Sequence, residues 1–309
     1  MSTKLLENPF VSNAAKLMGN IDRLAKFKET GELFPITLDI GPTGRCNQNC
    51  PFCSVKNRNR NEDLNLQDAL LITKYYVHYG VKGIEMTGGG EPTLWPHFEE
   101  FIEKISQEPV KIGLITNGRL LHKYSPEFLR HFTWIRVSVN GIDEGWVPNF
   151  EIPPEVTFSF SYVWHRGTED EKTNERLKQV LEKCPNAKAL KIQKDVFIDQ
   201  LNPISINPLT NSRVFIGDKG IETIPAKCFI GWLKPHLSAD GKIYRCSTCA
   251  LKERKFTSEF VMGDVDHLPL FVPDSKTFNP AQHCERCFYT AQNELVQKVM
   301  NPIEHSEFL

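Results

Sequence analysis

Short strand-like runs that alternate with helix-like runs are the sequence feature that most constrains this fold. The strand-like runs are residues 35–40, 83–86, 111–116, 134–139, 156–163 and 190–197. The segments between them carry apolar residues at helical spacing. Strands separated by helices pair in parallel, with the helices covering the sheet. The order therefore predicts an α/β fold built on a parallel sheet.

Several of the predicted helices have recognisable ends. Asn65 is a suitable N-cap for a helix that runs to Tyr79, and Gly80 ends it. A second helix follows Pro96, and a third covers residues 171–181. At the N-terminus, apolar residues at helical spacing predict a packing helix that Gly31 ends; they are Ala14, Leu17, Ile21, Leu24 and Phe27.

Three cysteines follow the first predicted strand directly, at Cys46, Cys50 and Cys53. A [4Fe–4S] cluster normally takes four cysteine ligands, one for each iron. Three thiolates on one short loop would leave one iron open to a small molecule. A structural zinc site would instead need a fourth protein ligand. The spacing therefore favours a cluster with an open iron, with zinc or a buried thiol group as the alternatives.

A glycine-rich run, residues 87–92, follows the second predicted strand. Together with the cysteine spacing it resembles the radical S-adenosylmethionine (SAM) enzymes. The resemblance covers roughly residues 35–200 and implies a partial (β/α)6 TIM-like barrel. It also implies that the open iron binds SAM, and that an electron from the cluster cleaves SAM to a 5′-deoxyadenosyl radical. That radical would abstract a hydrogen from the substrate.

The same resemblance implies which residues contact SAM. Phe52 stands where similar enzymes carry an aromatic residue near the adenine, although core filling would also explain it. The glycine run would approach the SAM ammonium, and the ends of strands three and four would touch ribose and carboxylate. Asn-Gly is also the commonest turn dipeptide, which is the alternative for the strand ends. The predicted SAM-binding residues are Phe52, Gly88, Gly89, Gly90, Glu91, Asn117, Ser138 and Asn140.

Composition excludes several classes of protein. The chain is 40% hydrophobic and 24% charged with a net charge of −1, so no global field favours nucleic acid or anionic membranes. Two basic runs, residues 56–60 and 252–255, are expected to be solvated loops. No apolar run is long enough to span a bilayer, and no signal-peptide core is present. We therefore expect a cytoplasmic protein, whose nine cysteines serve metal rather than disulfides.

Five further cysteines lie in the C-terminal third: Cys228, Cys246, Cys249, Cys284 and Cys287. Residues 238–244 are predicted to form a β-hairpin with an Asp-Gly turn. That hairpin would bring Cys228 and Cys246 together. This layout resembles the SPASM and twitch extensions of radical SAM enzymes. The shorter twitch form implies one auxiliary [4Fe–4S] cluster, with Cys228, Cys246, Cys284 and Cys287 as the matching positions. Structural zinc remains the alternative, because sulfur-only sites suit either metal.

Cys249 is left over in that scheme. It could replace one of the ligands or donate a hydrogen atom near the substrate, as the resemblance to certain peptide epimerases implies. Cys184, at the end of a helix, is expected to be a buried structural thiol. His165 follows strand five and could face the barrel mouth, although such a histidine is more often structural.

The predicted organisation is a helical segment at residues 1–34, a radical SAM barrel at 35–205 and a small Fe–S-binding β-hairpin/helix domain at 206–309. The substrate is predicted to be a peptide or a small natural product, oxidised, epimerised or cross-linked. Nucleotide or nucleic-acid base modification is the alternative, and a non-catalytic Fe–S or zinc protein is a third. The resemblance also implies an electron donor such as flavodoxin or ferredoxin.

Overall fold

A computed structural model describes residues 14–165, 170–195, 213–217, 223–250, 258–273, 278–284 and 287–301. Its strands are β1 (Thr37–Gly41), β2 (Gly83–Met86), β3 (Lys111–Thr116), β4 (Trp134–Ser138), β5 (Thr157–Trp164), β6 (Leu190–Lys194), β7 (Val214–Gly217), β8 (His236–Ser238), β9 (Ile243–Tyr244) and β10 (Val261–Gly263). Its α-helices are α1 (Ile21–Thr30), α2 (Leu66–His78), α3 (Phe98–Ile105), α4 (Pro126–Leu129), α5 (Glu171–Lys183), α6 (Ile230–Leu233), α7 (Pro280–His283) and α8 (Thr290–Met300).

The ten described strands form one sheet in the order β10-β9-β8-β1-β2-β3-β4-β5-β6-β7. Strands β1 to β7 pair in parallel, as the alternation of elements predicts. The α/β class with a parallel, TIM-like sheet is therefore confirmed. Carboxyl ends of parallel strands meet at one edge, where α/β barrels place their functional loops.

The sheet is wider than the predicted six strands. β7 adds to the far edge, and the C-terminal hairpin of β8 and β9 adds to the near one. β8 pairs in parallel with β1, so that Asp39 lies opposite His236. The predicted hairpin is present, with Gly241 at φ 78°, but it continues the barrel sheet instead of standing beside it. The predicted boundary at residue 205 falls outside the described residues, as does the predicted linker at 201–208.

The two faces of the sheet differ in chemistry. The helix side is apolar, with fully buried residues such as Leu38, Phe160 and Ile192 packed under the helices. Alternate residues point to the opposite side, because successive side chains of a strand alternate. We call this side the inner face; its polar residues include Asp39, Glu85, Arg136, Ser138, Ser159, Ser161, Lys191 and His236.

Most of the helix ends that the sequence predicts are also confirmed. Asn65 caps α2 and accepts hydrogen bonds from the backbone N–H groups of Gln67 and Asp68 at 2.8 and 3.3 Å. The N-terminal segment differs: Ala14–Asn20 is a 3-10 helix, and the α-helix begins only at Ile21. Gly31 ends α1 in the left-handed conformation, with φ 75°.

A second apolar cluster joins the two ends of the described chain. Leu24 and Phe27 of α1 pack with residues of α6 and with Val296 of α8. The rings of Phe27 and Phe229 meet edge to face at 5.9 Å. This cluster also contains Cys228 and Cys246, so the N-terminal helix helps to hold the C-terminal cysteines in place. Among the described residues, no helix has the length and apolarity that a bilayer span requires.

Gly113 provides a test of the inner face. A Cβ at this position would overlap the indole ring of Trp134, which lies across it from β4. Gly113→Ala is therefore expected to lower the free energy of unfolding by about 1–3 kcal/mol, as overpacking does. The measurement is urea unfolding followed by circular dichroism.

Gly83→Ala is the matched control, on the neighbouring strand β2. A Cβ at Gly83 would find only the Lys111 carbonyl oxygen, at 3.8 Å. This variant should keep the stability of the unmodified protein. Equal destabilisation by the two substitutions would contradict the position of the Trp134 indole ring over Gly113.

Candidate active site

The loop after β1 carries the three clustered cysteines. Cys46, Cys50 and Cys53 are all partly buried. Burial, together with the neighbouring thiols of Cys53 and Cys46, raises the pKa of Cys50 to about 12. Burial also raises the pKa of Cys46. Thiols with a raised pKa, such as those of Cys46 and Cys50, become thiolates more readily when a cation binds them, and thiolate is the form that binds metal.

Arg58 holds this loop together. Its Nε donates to the Gly44 carbonyl at 2.7 Å, and its Nη1 donates to the Val55 carbonyl at 3.0 Å. Nη1 also lies 3.5 Å from the Cys53 sulfur. The basic run at 56–60 was expected to be a solvated loop, and for Arg58 this prediction is wrong. The sequence signal was only its place five residues after Cys53.

The glycine loop after β2 lies directly on the cysteine loop. The Gly90 N–H donates to the Thr43 carbonyl at 2.6 Å, and the Glu91 N–H donates to the Arg45 carbonyl at 2.7 Å. A Cβ at Gly90 would overlap the Arg45 carbonyl oxygen, so only glycine fits there. The two motifs that the sequence singled out are therefore in backbone contact.

Glu91 connects this pair of loops to β3. Its Oε1 accepts from the Thr93 N–H, the Thr93 hydroxyl and the Thr116 hydroxyl at 3.2, 2.7 and 2.6 Å. Its Oε2 accepts from the Asn117 N–H at 2.7 Å. Burial raises the pKa of Glu91, while these four donors oppose the rise. The carboxylate positions the end of β3. Its predicted contact with the cofactor stays a prediction.

The predicted asparagines lie at the carboxyl edge, as expected, and both of their side chains are engaged. The Asn117 side chain donates to Asn47 Oδ1 of the cysteine loop at 2.6 Å. The Asn140 side chain donates to the Val163 carbonyl and accepts from the Val163 N–H, both at 2.9 Å. The Ser138 hydroxyl lies 3.4 Å from Asn140 Oδ1. Their contact with SAM stays a prediction.

An aromatic contact joins the cysteine loop to the end of β5. The ring of Phe52 lies against that of His165, with centroids 4.8 Å apart. His165 is buried, and its Nε2 lies 3.3 Å from Asp143 Oδ2. The Tyr162 hydroxyl donates to the same carboxylate at 3.0 Å. His165 thus reaches the mouth of the barrel, and the pairing of Asp143 with Tyr162 was not foreseen from the sequence.

The C-terminal cysteines come together from three different segments. Burial, followed by the nearby thiols of Cys246 and Cys284, raises the pKa of Cys228 to about 12. Cys246 follows β9, which the hairpin places beside the Cys228 segment, as predicted. The Cys246 sulfur lies 2.8 Å from the Thr248 hydroxyl. The side chain of Cys249 lies outside the described residues, so its predicted role stays open.

Asn293 ties the fourth predicted ligand to this group. Its Oδ1 accepts from the Phe229 and Ile230 N–H groups at 2.6 and 3.1 Å, directly after Cys228. Its Nδ2 lies 3.9 Å from the Cys287 sulfur. Asn293 is 1% exposed and was not predicted. Its position six residues after Cys287, on the inward side of α8, is the only signal the sequence offered.

Within the described part of the chain, the arrangement of the two cysteine groups does not match a site for a single metal ion. Among the described residues, no three His, Cys, Asp or Glu side chains stand close enough to share one metal. A [4Fe–4S] cluster makes a different demand, since each thiolate binds a different iron. Sulfur donors on one short loop, held by backbone contacts and beside Arg58, fit such a cluster in chemical type.

Glu91 yields a test of the loop architecture. In Glu91→Gln the new NH2 group would face the Asn117 N–H or the threonine hydroxyls, where the carboxylate accepts. Leaving a buried donor unsatisfied should lower the free energy of unfolding by about 1–3 kcal/mol, measured by urea unfolding. Glu99→Gln, on the exposed side of α3, is the matched control and should be neutral. Equal stability of both variants would show that the Glu91 network contributes nothing.

Comparison with known proteins shows which proteins this chain is similar to. The profile of the radical SAM superfamily matches residues 40–192. GTP 3′,8-cyclase of Staphylococcus aureus (strain Mu3) is 36% identical over 121 residues, which is 35% of this chain and 34% of the relative. A probable GTP 3′,8-cyclase of Methanococcus maripaludis is 37% identical over 97 residues, 30% of this chain and 32% of the relative. The chain spans about a third of the length of these curated relatives.

Solved structures agree on the fold. Streptococcus suis SuiB bound to its precursor peptide SuiA superposes with a TM-score of 0.55 at 15% identity, over 89% of this chain and 73% of that one. SuiB bound to SAM gives 0.53 at 16% identity, over 86% and 71%. With the cysteine loop, the glycine loop and the parallel sheet in place, the chain belongs to the radical SAM superfamily of enzymes, which use a [4Fe–4S] cluster and SAM.

Proposed function

We propose that Cys46, Cys50 and Cys53 hold the SAM-binding [4Fe–4S] cluster of this enzyme. We further propose that it abstracts a hydrogen atom from a peptide or small natural product, leading to oxidation, epimerisation or cross-linking. The observation that carries the proposal is the backbone contact between the cysteine and glycine loops. Gly90 and Glu91 donate to Thr43 and Arg45, so a ligand on the cysteine loop would also lie beside the glycine backbone.

The chain supplies the orientation for this chemistry. When bound, the cluster would supply the electron that cleaves SAM to a 5′-deoxyadenosyl radical. Cys46, Cys50 and Cys53 would hold the cluster through three thiolates, and the iron without a cysteine would be the place for the amino and carboxylate groups of SAM. A Cβ added at Gly89 would lie 3.3 Å from the Thr43 carbonyl oxygen. Glycine at this position therefore lets the glycine loop pack closely on the cysteine loop. Phe52 and His165 would exclude water from the mouth, which protects a reactive intermediate.

The C-terminal cysteines support an auxiliary [4Fe–4S] cluster. Cys228, Cys246 and Cys284 come from three segments, and the thiols of Cys246 and Cys284 help to raise the pKa of Cys228. Asn293 joins Cys287 to the Cys228 segment. Four thiols match a full set of iron ligands. We propose that Cys228, Cys246, Cys284 and Cys287 would hold this cluster, which, when bound, would accept the one electron that the substrate radical loses to become an oxidised product. Reduction of the first cluster would come from a small electron-transfer protein such as flavodoxin or ferredoxin.

Two kinds of substrate compete. SuiB was solved with a precursor peptide. Because this chain shares the fold of SuiB, that structure supports a peptide substrate. The relatives named GTP 3′,8-cyclase support the nucleotide alternative, through a match confined to about a third of each chain. Incubation of the reduced enzyme with GTP, followed by mass spectrometry, separates them. A new chromatographic peak derived from GTP, with or without a change of mass because ring closure within one molecule can leave the mass unchanged, would favour nucleotide modification.

The cluster assignment can be tested with Cys50→Ala. The variant, reconstituted anaerobically with iron and sulfide, should lose about four irons relative to the unmodified protein. It should also release no 5′-deoxyadenosine when reduced by dithionite in the presence of SAM. The measurements are a colorimetric iron count and liquid chromatography of the nucleoside.

Cys184→Ala is the matched control, because Cys184 caps α5 on the helix side of the sheet. It should retain both the iron and the nucleoside release. Full iron content in Cys50→Ala would refute the ligand assignment. An unmodified protein that holds iron and SAM but releases no 5′-deoxyadenosine would refute the proposed activity.

A triple variant separates the two clusters. With Cys46, Cys50 and Cys53 all changed to Ala, about four irons and matching labile sulfide should remain on the C-terminal cysteines. Adding Cys228→Ala should remove them. Zinc at this site, or no metal at all, would overturn the auxiliary cluster and leave one cluster with a structural C-terminal region.

A further inference from the structure

We propose that His236, held by Asp39, completes the SAM site by accepting a hydrogen bond from the amino group of SAM. The proposal rests on the proposed function, in which the glycine loop lies beside that amino group. It adds a contact from the C-terminal hairpin, whereas the SAM-binding residues that the sequence predicts all lie within residues 52–140.

Both side chains of this pair point to the inner face. Asp39 lies between Leu38 and Ile40, which are fully buried in the helix-side core, so the alternation of side chains directs Asp39 to the opposite side. His236 lies opposite Asp39 in the parallel register of β1 and β8. Its neighbour Leu237 belongs to the same core. The carboxylate and the imidazole therefore stand side by side.

Gly41, the last residue of β1, provides the space for the imidazole ring. A Cβ at this position would lie 3.1 Å from His236 Cε1, 3.4 Å from His236 Nε2 and 3.0 Å from the Gly89 nitrogen. The two closest of these distances are shorter than ordinary contacts between uncharged atoms. The ring of His236 therefore extends from the level of Asp39 to the carboxyl end of β1, beside Gly89 of the glycine loop.

Backbone hydrogen bonds fix the glycine loop at this place. The Thr87 N–H donates to the Ile40 carbonyl at 2.8 Å, and the Gly90 N–H donates to the Thr43 carbonyl at 2.6 Å. The chain on both sides of Gly89 is thus bound to β1 and to the residues that follow it. The position of His236 relative to the glycine loop is therefore set by strand pairing and main-chain contacts.

The carboxylate beside His236 determines which nitrogen of the ring can accept a hydrogen bond. His236 Nδ1 lies 3.5 Å from Asp39 Oδ2. Burial opposes the charge on Asp39, but Lys234, followed by His236 and Ser247, holds the pKa of this carboxyl below its usual value. An ionised carboxylate at Nδ1 favours the tautomer that carries its hydrogen there. The lone pair of Nε2, on the side of Gly41, is then the acceptor.

Lys234 supplies the positive charge that Asp39 needs. Its Nζ lies 3.1 Å from Glu85 Oε2, and its charge also acts on Asp39. From α8, the buried side chain of Tyr289 faces the same three charged groups. A positive charge on the imidazole of His236 is therefore not needed to balance Asp39, and a neutral imidazole suits the role of acceptor.

Burial supports a ligand-binding role for His236. The residue is 3% exposed, and within the described part of the chain its Nδ1 has no hydrogen-bond partner. Most buried polar groups in proteins are satisfied. A donor at Nε2 would polarise the ring and strengthen its bond to Asp39, because hydrogen bonds in a chain reinforce one another. An amino group that binds iron still carries hydrogens, so SAM would supply such a donor.

This contact would link the SAM site to the second cysteine group. His236 lies on β8, which pairs with β9 in the C-terminal hairpin, and Cys246 follows β9 directly. The hairpin that positions Cys246 therefore also positions the acceptor for SAM. SAM binding would depend on the C-terminal region as well as on the barrel.

The test measures the Kd of SAM by anaerobic calorimetry. It uses the full chain, reconstituted with iron and sulfide and left unreduced. His236→Phe keeps an aromatic ring but removes the acceptor, and should raise this Kd about tenfold, as loss of a buried hydrogen bond does. His236→Gln keeps an acceptor oxygen and should restore most of the affinity. A role in packing alone would give the reverse order, because phenylalanine fills the space of the imidazole better than glutamine.

His122→Phe is the matched control, because His122 is exposed in the short 3-10 helix Leu121–Lys123; its Kd for SAM should equal that of the unmodified protein. Iron is counted in every variant, so that loss of the cluster is not mistaken for loss of the contact. Asp39→Asn is a second variant, needed if His236→Phe loses its iron. It should also weaken SAM binding, because a neutral amide no longer fixes the tautomer of His236.

Three results would overturn the proposal. They are an unchanged Kd for SAM in His236→Phe and Asp39→Asn at full iron content, weaker binding by His236→Gln than by His236→Phe, and loss of iron from both His236→Phe and Asp39→Asn. The last result would show that the pair maintains the cysteine loop instead of contacting SAM. Failure of the proposed function is detected separately, as an unmodified protein that binds no SAM or releases no 5′-deoxyadenosine on reduction.

Discussion

Backbone packing between the loops after β1 and β2 is the contact on which the rest of the site depends. Gly90 has no room for a Cβ against the Arg45 carbonyl, so the two motifs approach to hydrogen-bonding distance. Glu91 then joins the pair to β3 through Thr116 and Asn117. Positions on three neighbouring strands are thereby set by main-chain geometry and one buried carboxylate. A radical reaction needs such rigidity, because its cofactors must be held in a fixed geometry.

A second constraint is the parallel pairing of β8 with β1. This pairing makes the C-terminal hairpin part of the barrel sheet. It also brings the Cys228 group beside β1, the strand that leads to Cys46. Asp39 and His236 face each other across this pairing. The two cysteine centres are thus connected through one continuous sheet.

Local pattern made much of this predictable. Strand–helix alternation predicts the parallel sheet, Asn65 the start of α2, and the spacing of Cys46, Cys50 and Cys53 the family. Contacts between residues that are far apart in the sequence were not predictable, because no local signal encodes them. Arg58 looked like one member of a basic run, and Asn293 like an ordinary helix residue. β7 is only four residues long, and the addition of β8 to β1 depends on pairing between distant segments.

That last feature bears on how the chain folds. β1 begins at residue 37 and its partner β8 at residue 236, so the whole barrel is synthesised before this pair can form. Until then one edge of β1 exposes unpaired backbone groups, a known template for aggregation. Contacts between such distant segments also slow folding, since the loop must close before they stabilise it. The edge of β1 that β8 covers therefore stays open to pairing with another chain until residue 236 has been synthesised.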